Sequence, residues 1–176
     1  MPRPLIVCRP VAGPEEAVVH HRIRHEVFVL EQAVFTGSDR DAYDTDASTI
    51  KVLAWAGDEA GGAVRLYPLG EGIWQGDRLA VLPPFRAWNL GGPLVRFAVD
   101  TAAALGGVEM LAHVQAANVR FFERLGWRRR GEPEIYVGLP HQPMAIGLTA
   151  SGPTGARRPA APVSVTPAAS RSPVRS

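Results

Sequence analysis

The apolar positions of the first 149 residues switch repeatedly between strand-like runs and helical spacing. Leu5–Cys8 is a short apolar run that predicts a strand. Pro14 then opens a helix with Glu15 and Glu16 in its first turn, where the helix dipole favours acids. Val19, Ile23, Val27 and Leu30 recur at helical spacing and define the stripe this helix should bury. Residues 36–49, TGSDRDAYDTDAST, form an acidic loop. Lys51–Ala56 and Ala63–Tyr67 predict a strand pair across the turn GDEAGG, and Ile73–Val81 a third strand ended by Pro83-Pro84. Gly92–Leu105 predicts a helix with Leu94, Ala98, Thr101 and Leu105 on one side. Glu109–Val114 predicts a strand, and 117–125 a helix with Phe121, Phe122 and Leu125 turned inward. EIYVGLPHQPMAIGL, at 134–148, reads as two short strands broken at Pro140.

Three consecutive strands argue for hairpin connections, and the later strand–helix–strand unit for one parallel pair. The expected fold class is therefore α+β, with a mixed, mostly antiparallel central sheet flanked by helices on both faces.

Composition adds boundaries. From residue 150 onward the chain is rich in Pro, Ala, Ser and Arg with almost no large apolar side chain. Such a segment cannot bury enough surface to offset its ordering entropy, so 1–149 is expected to be the folded domain and 150–176 a disordered tail. The formal charge of +2 rests on that tail. Its four arginines, Arg157, Arg158, Arg171 and Arg175, have no acidic neighbours, and the rest of the chain holds 15 basic against 17 acidic residues. That balance argues against a nucleic-acid partner, which calls for a basic face. No apolar stretch approaches the ~20 residues of a membrane span. The N-terminus lacks the pattern of a secretory signal, and Cys8 is the only cysteine. These features point to a cytoplasmic protein with no disulfide framework, no membrane partner and no metal site.

Two motifs carry the chemistry. VLPPFRAWNLGGPL at 81–94 reads as a strand end, a turn and a helix start, which offers backbone N–H groups to an anion. NVRFFERLGW at 118–127 is an amphipathic helix headed by Asn118 and stopped by Gly126-Trp127. In this order, with their flanking strands, they resemble the GCN5-related N-acetyltransferase (GNAT) superfamily. Val81-Leu-Pro83 followed by Arg86-Ala-Trp-Asn89-Leu-Gly91 is similar to that family's acyl-CoA turn, and Asn118, Phe121-Phe122 and Gly126-Trp127 to its second signature. IRHEVFVLEQ at 23–32 and GLPHQPM at 138–144 resemble segments of a bacterial branch of acetyltransferases whose substrate is unassigned. Two positions depart from the pattern. Asn89 replaces the turn's first glycine, and Phe122 stands where many members carry the tyrosine that protonates the leaving thiolate.

The resemblance implies a GNAT fold, acetyl-CoA as co-substrate and a small-molecule amine as acceptor, attacked directly in a ternary complex. It puts the pantetheine arm beside Leu79, Ala80 and Val81. The pyrophosphate falls at Arg86, Ala87, Trp88, Asn89, Leu90, Gly91 and Gly92, with Asn118 and Phe121 at the mouth of the following helix. Small residues suit the turn because the phosphates must approach the backbone closely. An alkyl amine with pKa near ~10 is about one part in a thousand neutral at pH 7, so a general base is useful. Glu31 and His113 are the candidates, with Tyr136 as replacement acid. Glu31, Asp44 and Asp46 are candidate attractors of a cationic acceptor. Dimers are common in such families, so the resemblance admits a homodimer. Two rival readings stay open: an acyl-CoA-binding sensor without turnover, and an acyltransferase using another donor, as in acyl-homoserine lactone synthesis.

Overall fold

A computed structural model describes residues 2–149; the expected tail at 150–176 lies outside the described residues. Eight strands, β1 (Ile6–Pro10), β2 (Ile50–Ala56), β3 (Glu59–Gly70), β4 (Ile73–Val81), β5 (Glu109–Gln115), β6 (Arg128–Arg129), β7 (Glu134–Tyr136) and β8 (Leu139–Gly147), form one sheet. Its order is β1-β2-β3-β4-β5-β8-β6, with β7 paired to β8. Every pairing is antiparallel except β4 with β5. The helices are α1 (Gly13–Arg24), α2 (Gly91–Ala104) and α3 (Val119–Arg124).

The alternation of β2 explains why both faces are covered. Val52 and Ala54 pack in the cluster that includes Leu94, Val95 and Ala98 of α2 and Phe122 of α3. Leu53 packs with Ile23 and Val27 from the first helix on the opposite face. The expected mixed sheet with flanking helices is what the chain forms.

Several local readings need correction. The glycine-rich stretch between β2 and β3 is a turn only at Gly57-Asp58, since Ala56 already pairs with Glu59. Gly61 and Gly62 lie inside β3, where an added Cβ would sit 2.2 Å from the Phe85 ring and 2.8 Å from Leu94 respectively. They are glycines because two side chains close over the strand there. The first helix ends in a π-helical segment, His25–Glu31, with Gln32 N–H donating to the Val27 carbonyl at 2.9 Å. That wider step turns Leu30 out to solvent and buries Arg24 and Phe28 beside Ile23 and Val27. In α2 the inward row is Leu94, Val95, Ala98 and Ala102; Leu105 caps the helix and is exposed.

The last hairpin breaks at Val137-Gly138, not at Pro140. Both residues have positive φ, 46° and 79°, between the paired Tyr136 and Leu139. β8 runs on through Pro140 and Pro143. The Pro143 carbonyl accepts from the Arg130 N–H at 2.8 Å, so the proline nitrogen also faces away from β5 and no ladder bond to β5 is lost.

Candidate functional site

The parallel pair β4–β5 holds for only three residues: Ile73 with Glu109, Trp74 with Met110 and Gln75 with Leu111. Beyond Gln75 the strands part. A bulge in β4 drives the separation, because Ala63 pairs with Ala80 while Arg65 pairs with Asp77, leaving one extra residue on β4. Arg78 carries the turn of the bulge at φ 54°. Its guanidinium is held over the Phe35 ring at 4.4 Å and bonded to the Asp39 carbonyl at 3.1 Å.

A cavity of about 110 Å³ occupies the gap. Its floor is apolar, with Val64, Val95, Ala98, Met110, Phe122 and Trp127. Asp77, Arg78 and Leu79 of β4 form one wall, and His113, Tyr136 and His141 stand on the β5–β8 side. Gly76, where the strands separate, leaves room for Met110: a Cβ there would lie 3.2 Å from its sulfur. Trp127 is buried, and its indole N–H has no partner among the described residues.

The turn after β4 is built as a platform. Pro83–Trp88 form a 3₁₀ helix, and Asn89 takes the left-handed conformation, φ 54° and ψ 52°, which asparagine tolerates better than most residues. Leu90 then precedes α2 with no side-chain cap, so the first N–H groups of the helix carry no side-chain partner. Phe121 of α3 packs 3.4 Å from where a Gly91 Cβ would be. Asn118 is exposed at the head of α3 and makes no capping bond with its side chain.

Arg86 and Glu31 are tied to each other. Arg86 Nη1 donates to Glu31 Oε2 at 2.8 Å, Nη2 bonds the other carboxylate oxygen, and Nε donates to the Val81 carbonyl at 3.2 Å. The hydrogen bonds from Arg86 hold the Glu31 carboxyl below the usual carboxylate range, and Glu31 is not among the cavity-lining residues.

The acidic loop is far less solvated than its sequence suggests. Asp44 accepts from Arg24 at 2.6 and 3.1 Å, and Asp39 from Arg24 at 2.7 Å. Arg65 binds Asp77 through two bonds of 2.7 Å and Asp41 at 2.6 Å. Burial alone would raise the Asp44 pKa, but the Arg24 hydrogen bond, the Asp41 N–H and the charges of Arg24 and Arg65 outweigh it and hold it well below the ordinary value. Asp44 therefore fastens the loop under the cavity wall. Asp46 bonds Ser48 at the surface, and neither acid lines the cavity.

His113 and Tyr136 do reach the cavity, together. Their rings stack with centroids 4.7 Å apart at 8°. His113 Nε2 lies 2.9 Å from Glu134 Oε1, and Tyr136 meets His141 edge-on at 5.3 Å. Phe122 contributes no hydroxyl; it packs edge-on against Trp127 at 5.3 Å. Asp77, Arg78 and Glu134 were not among the site candidates the sequence offered. The Arg65, Asp77 and Arg78 side chains were visible only as isolated charges within apolar strands. Among the described residues no His, Cys, Asp and Glu converge as a metal site, and no helix is long and apolar enough to cross a membrane.

A strand pair parted at a bulge, above a cavity and beside an open helix start, matches a known family at the level of the whole domain. Residues 15–148 match the model of the acetyltransferase (GNAT) domain. The chain belongs to the GNAT acetyltransferase family. The uncharacterized N-acetyltransferase YjcF of Bacillus subtilis is 32% identical over 124 residues, covering 69% of this chain and 86% of the relative. Among solved structures, Escherichia coli ElaA superposes with a TM-score of 0.71 at 21% identity, covering 80% of this chain and 99% of that one. The CoA-dependent acyl-homoserine lactone synthase BjaI, solved with SAM and isopentyl-CoA, superposes with a TM-score of 0.64 at 20% identity, covering 77% of each chain. At these identities the two structures speak for the fold alone. As a GNAT protein the chain is an acyltransferase whose co-substrate is an acyl-CoA.

Proposed function

We propose that this GNAT protein transfers an acetyl group from acetyl-CoA to the amine of a small molecule, by direct attack in a ternary complex in the cytoplasm. The observation that carries the reading is the cavity of about 110 Å³ between the parted strands β4 and β5. A thioester lying in that gap would have an open β4 edge on one side and titratable side chains on the other.

The donor is assigned to the parted edge and the turn. The pantetheine amides take main-chain hydrogen bonds at Leu79–Val81, in the manner of an added strand. The pyrophosphate takes the N–H groups of the 86–92 turn and the start of α2, aided by the helix dipole. Arg86 reaches the phosphates by exchanging its Glu31 partner, and Asn118 and Phe121 flank the arm.

On the acceptor side His113 is the base we favour, because it lines the cavity, whereas Glu31 is paired outside it. The ammonium form of the acceptor loses a proton to the base. The neutral nitrogen attacks the thioester carbonyl and the C–N bond forms; the nitrogen then gives its extra proton to water as the C–S bond breaks with its electron pair on sulfur. The thiolate takes a proton from Tyr136 or water; a thiol pKa near ~8.5 makes either feasible. Asp44 and Asp46 act on a cationic acceptor only through the field of the loop.

The apolar floor favours a second reading, in which the donor carries a longer acyl chain. Val95, Ala98 and Met110 offer more apolar surface than one methyl group covers. BjaI, a protein of the same fold, was solved with isopentyl-CoA.

Thiol release from acetyl-CoA across an amine panel tests the activity. Turnover on at least one amine is expected. Binding without turnover on any amine would favour a sensor, and no binding would sink every reading of the turn. Gly91→Glu, which sets a side chain and a negative charge against the pyrophosphate, is expected to abolish binding.

A further inference from the structure

The β7–β8 hairpin closes over the cavity at one place, and the contact it makes there is chemically specific. Glu134 and Tyr136 are two residues apart on β7, so they project from the same face. Both meet His113 of β5: the carboxylate at 2.9 Å from Nε2, and the phenol ring flat against the imidazole. Neither contact is needed for the core, since the His113 side chain is 35% exposed and Glu134 52%. The stacked phenol restrains the plane of the ring, and the carboxylate restrains its rotation within that plane.

We propose that Glu134 is a positioning residue for His113. Its carboxylate accepts the Nε2–H bond, which selects that tautomer and leaves Nδ1 as the nitrogen that takes the acceptor's proton. The inference rests on the acyl-transfer reading for its catalytic consequence, and on geometry alone for the pair itself. The titratable groups facing the ring are Glu134 and Tyr136 from β7 and, beyond Tyr136, His141 from β8. His141 is committed locally, with Nδ1 at 2.9 Å from the Leu139 carbonyl. Across the cavity Asp77 and Arg78 are already engaged by Arg65 and Asp39. Glu134 is therefore the anionic group in contact with His113. It faces the ring from the Nε2 side, which keeps Nδ1 free to take the proton.

Two measurements on the full chain test this. NMR of ¹⁵N-labelled protein should show a protonated Nε2 and a bare Nδ1 in neutral His113. In Glu134→Gln the two neutral tautomers of His113 should mix, because an amide can either accept from Nε2 or donate to it. kcat/KM for thiol release should fall several-fold with it, while KM for the acyl-CoA stays the same. Glu134→Asp should restore part of both. An unchanged tautomer in Glu134→Gln would overturn the pair. A mixed tautomer with an unchanged kcat/KM would overturn its catalytic role. If the wild-type protein turns over no amine, the acyl-transfer reading fails, and the ring tautomer still decides the pair.

Discussion

Arg86 and Glu31 lock together and join the turn after β4 to the π-helical end of the first helix. Arg86 also bonds the Val81 carbonyl, at the edge assigned to the pantetheine arm. Breaking the lock frees Arg86 for phosphate, so Glu31→Gln is expected to keep or tighten acyl-CoA binding and to leave the pH profile of thiol release in place. A lost acid limb in this variant would return Glu31 to the role of base; calorimetric titration and a pH–rate series separate the outcomes.

Gly61 lets the Phe85 ring lie on β3 and so fixes the height of the whole turn. Gly61→Val is expected to lift Phe85 and cost acyl-CoA affinity by at least tenfold, with the cavity lining untouched. Unchanged affinity would mean that the turn does not hold the phosphates.

Ala98→Leu fills the apolar floor. Transfer from a four- to six-carbon acyl-CoA should fall much more than transfer from acetyl-CoA. Equal loss on both donors would place the acyl chain elsewhere.

His20 is fully buried, with Nε2 at 3.0 Å from the Val64 carbonyl, and burial pushes its pKa down to about 3. An unfolded histidine titrates near ~6.5, so below that pH the unfolded chain binds the extra proton. Stability should therefore be flat above that pH and fall below it, by up to about 1.4 kcal/mol per pH unit for this group. Asp44 steepens the loss below pH ~4, as its depressed pKa gives stability only while it is ionised. Urea unfolding of wild type and His20→Gln at several pH values would show a shallower slope in the variant between pH 6.5 and 4, as ~6.5 is the reference value of the residue removed.

Val137 is a β-branched residue in a left-handed turn position, at φ 46°. Val137→Asn places the preferred residue before Gly138 and should stabilise the protein by about 1 kcal/mol. A lower thermal midpoint would show that Val137 contributes more by packing than it costs by strain.

The readings that held are those governed by local rules. Ile73–Val81 is a strand with the expected bounds because it stops short of two prolines that cannot continue it. Asn89 occupies the left-handed position for the same local reason. The readings that failed depended on neighbours distant in sequence. Leu30 has the spacing of a buried residue, yet the π-helical turn rotates it out, and the glycines at 61 and 62 look like a turn until Phe85 and Leu94 are seen above them.

By itself, the chain's order of apolar runs, prolines and glycines determined the strand–helix sequence, the mixed sheet and the turn that opens α2, since each follows from backbone propensity and short-range spacing. Only the tertiary structure decided which charges meet. Asp39, Asp41 and Asp44 read as a solvated acidic loop, but Arg24, Arg65 and Arg78 arrive from a helix and two strands to pair with them. Likewise His113 and the pair Glu134 and Tyr136 belong to strands that are not sheet neighbours, and the hairpin turn at Val137-Gly138 brings Tyr136 to the cavity beside His113 with Glu134 against its Nε2. Coulomb and hydrogen-bond energies depend on distance in space, which a chain of letters leaves open until it folds.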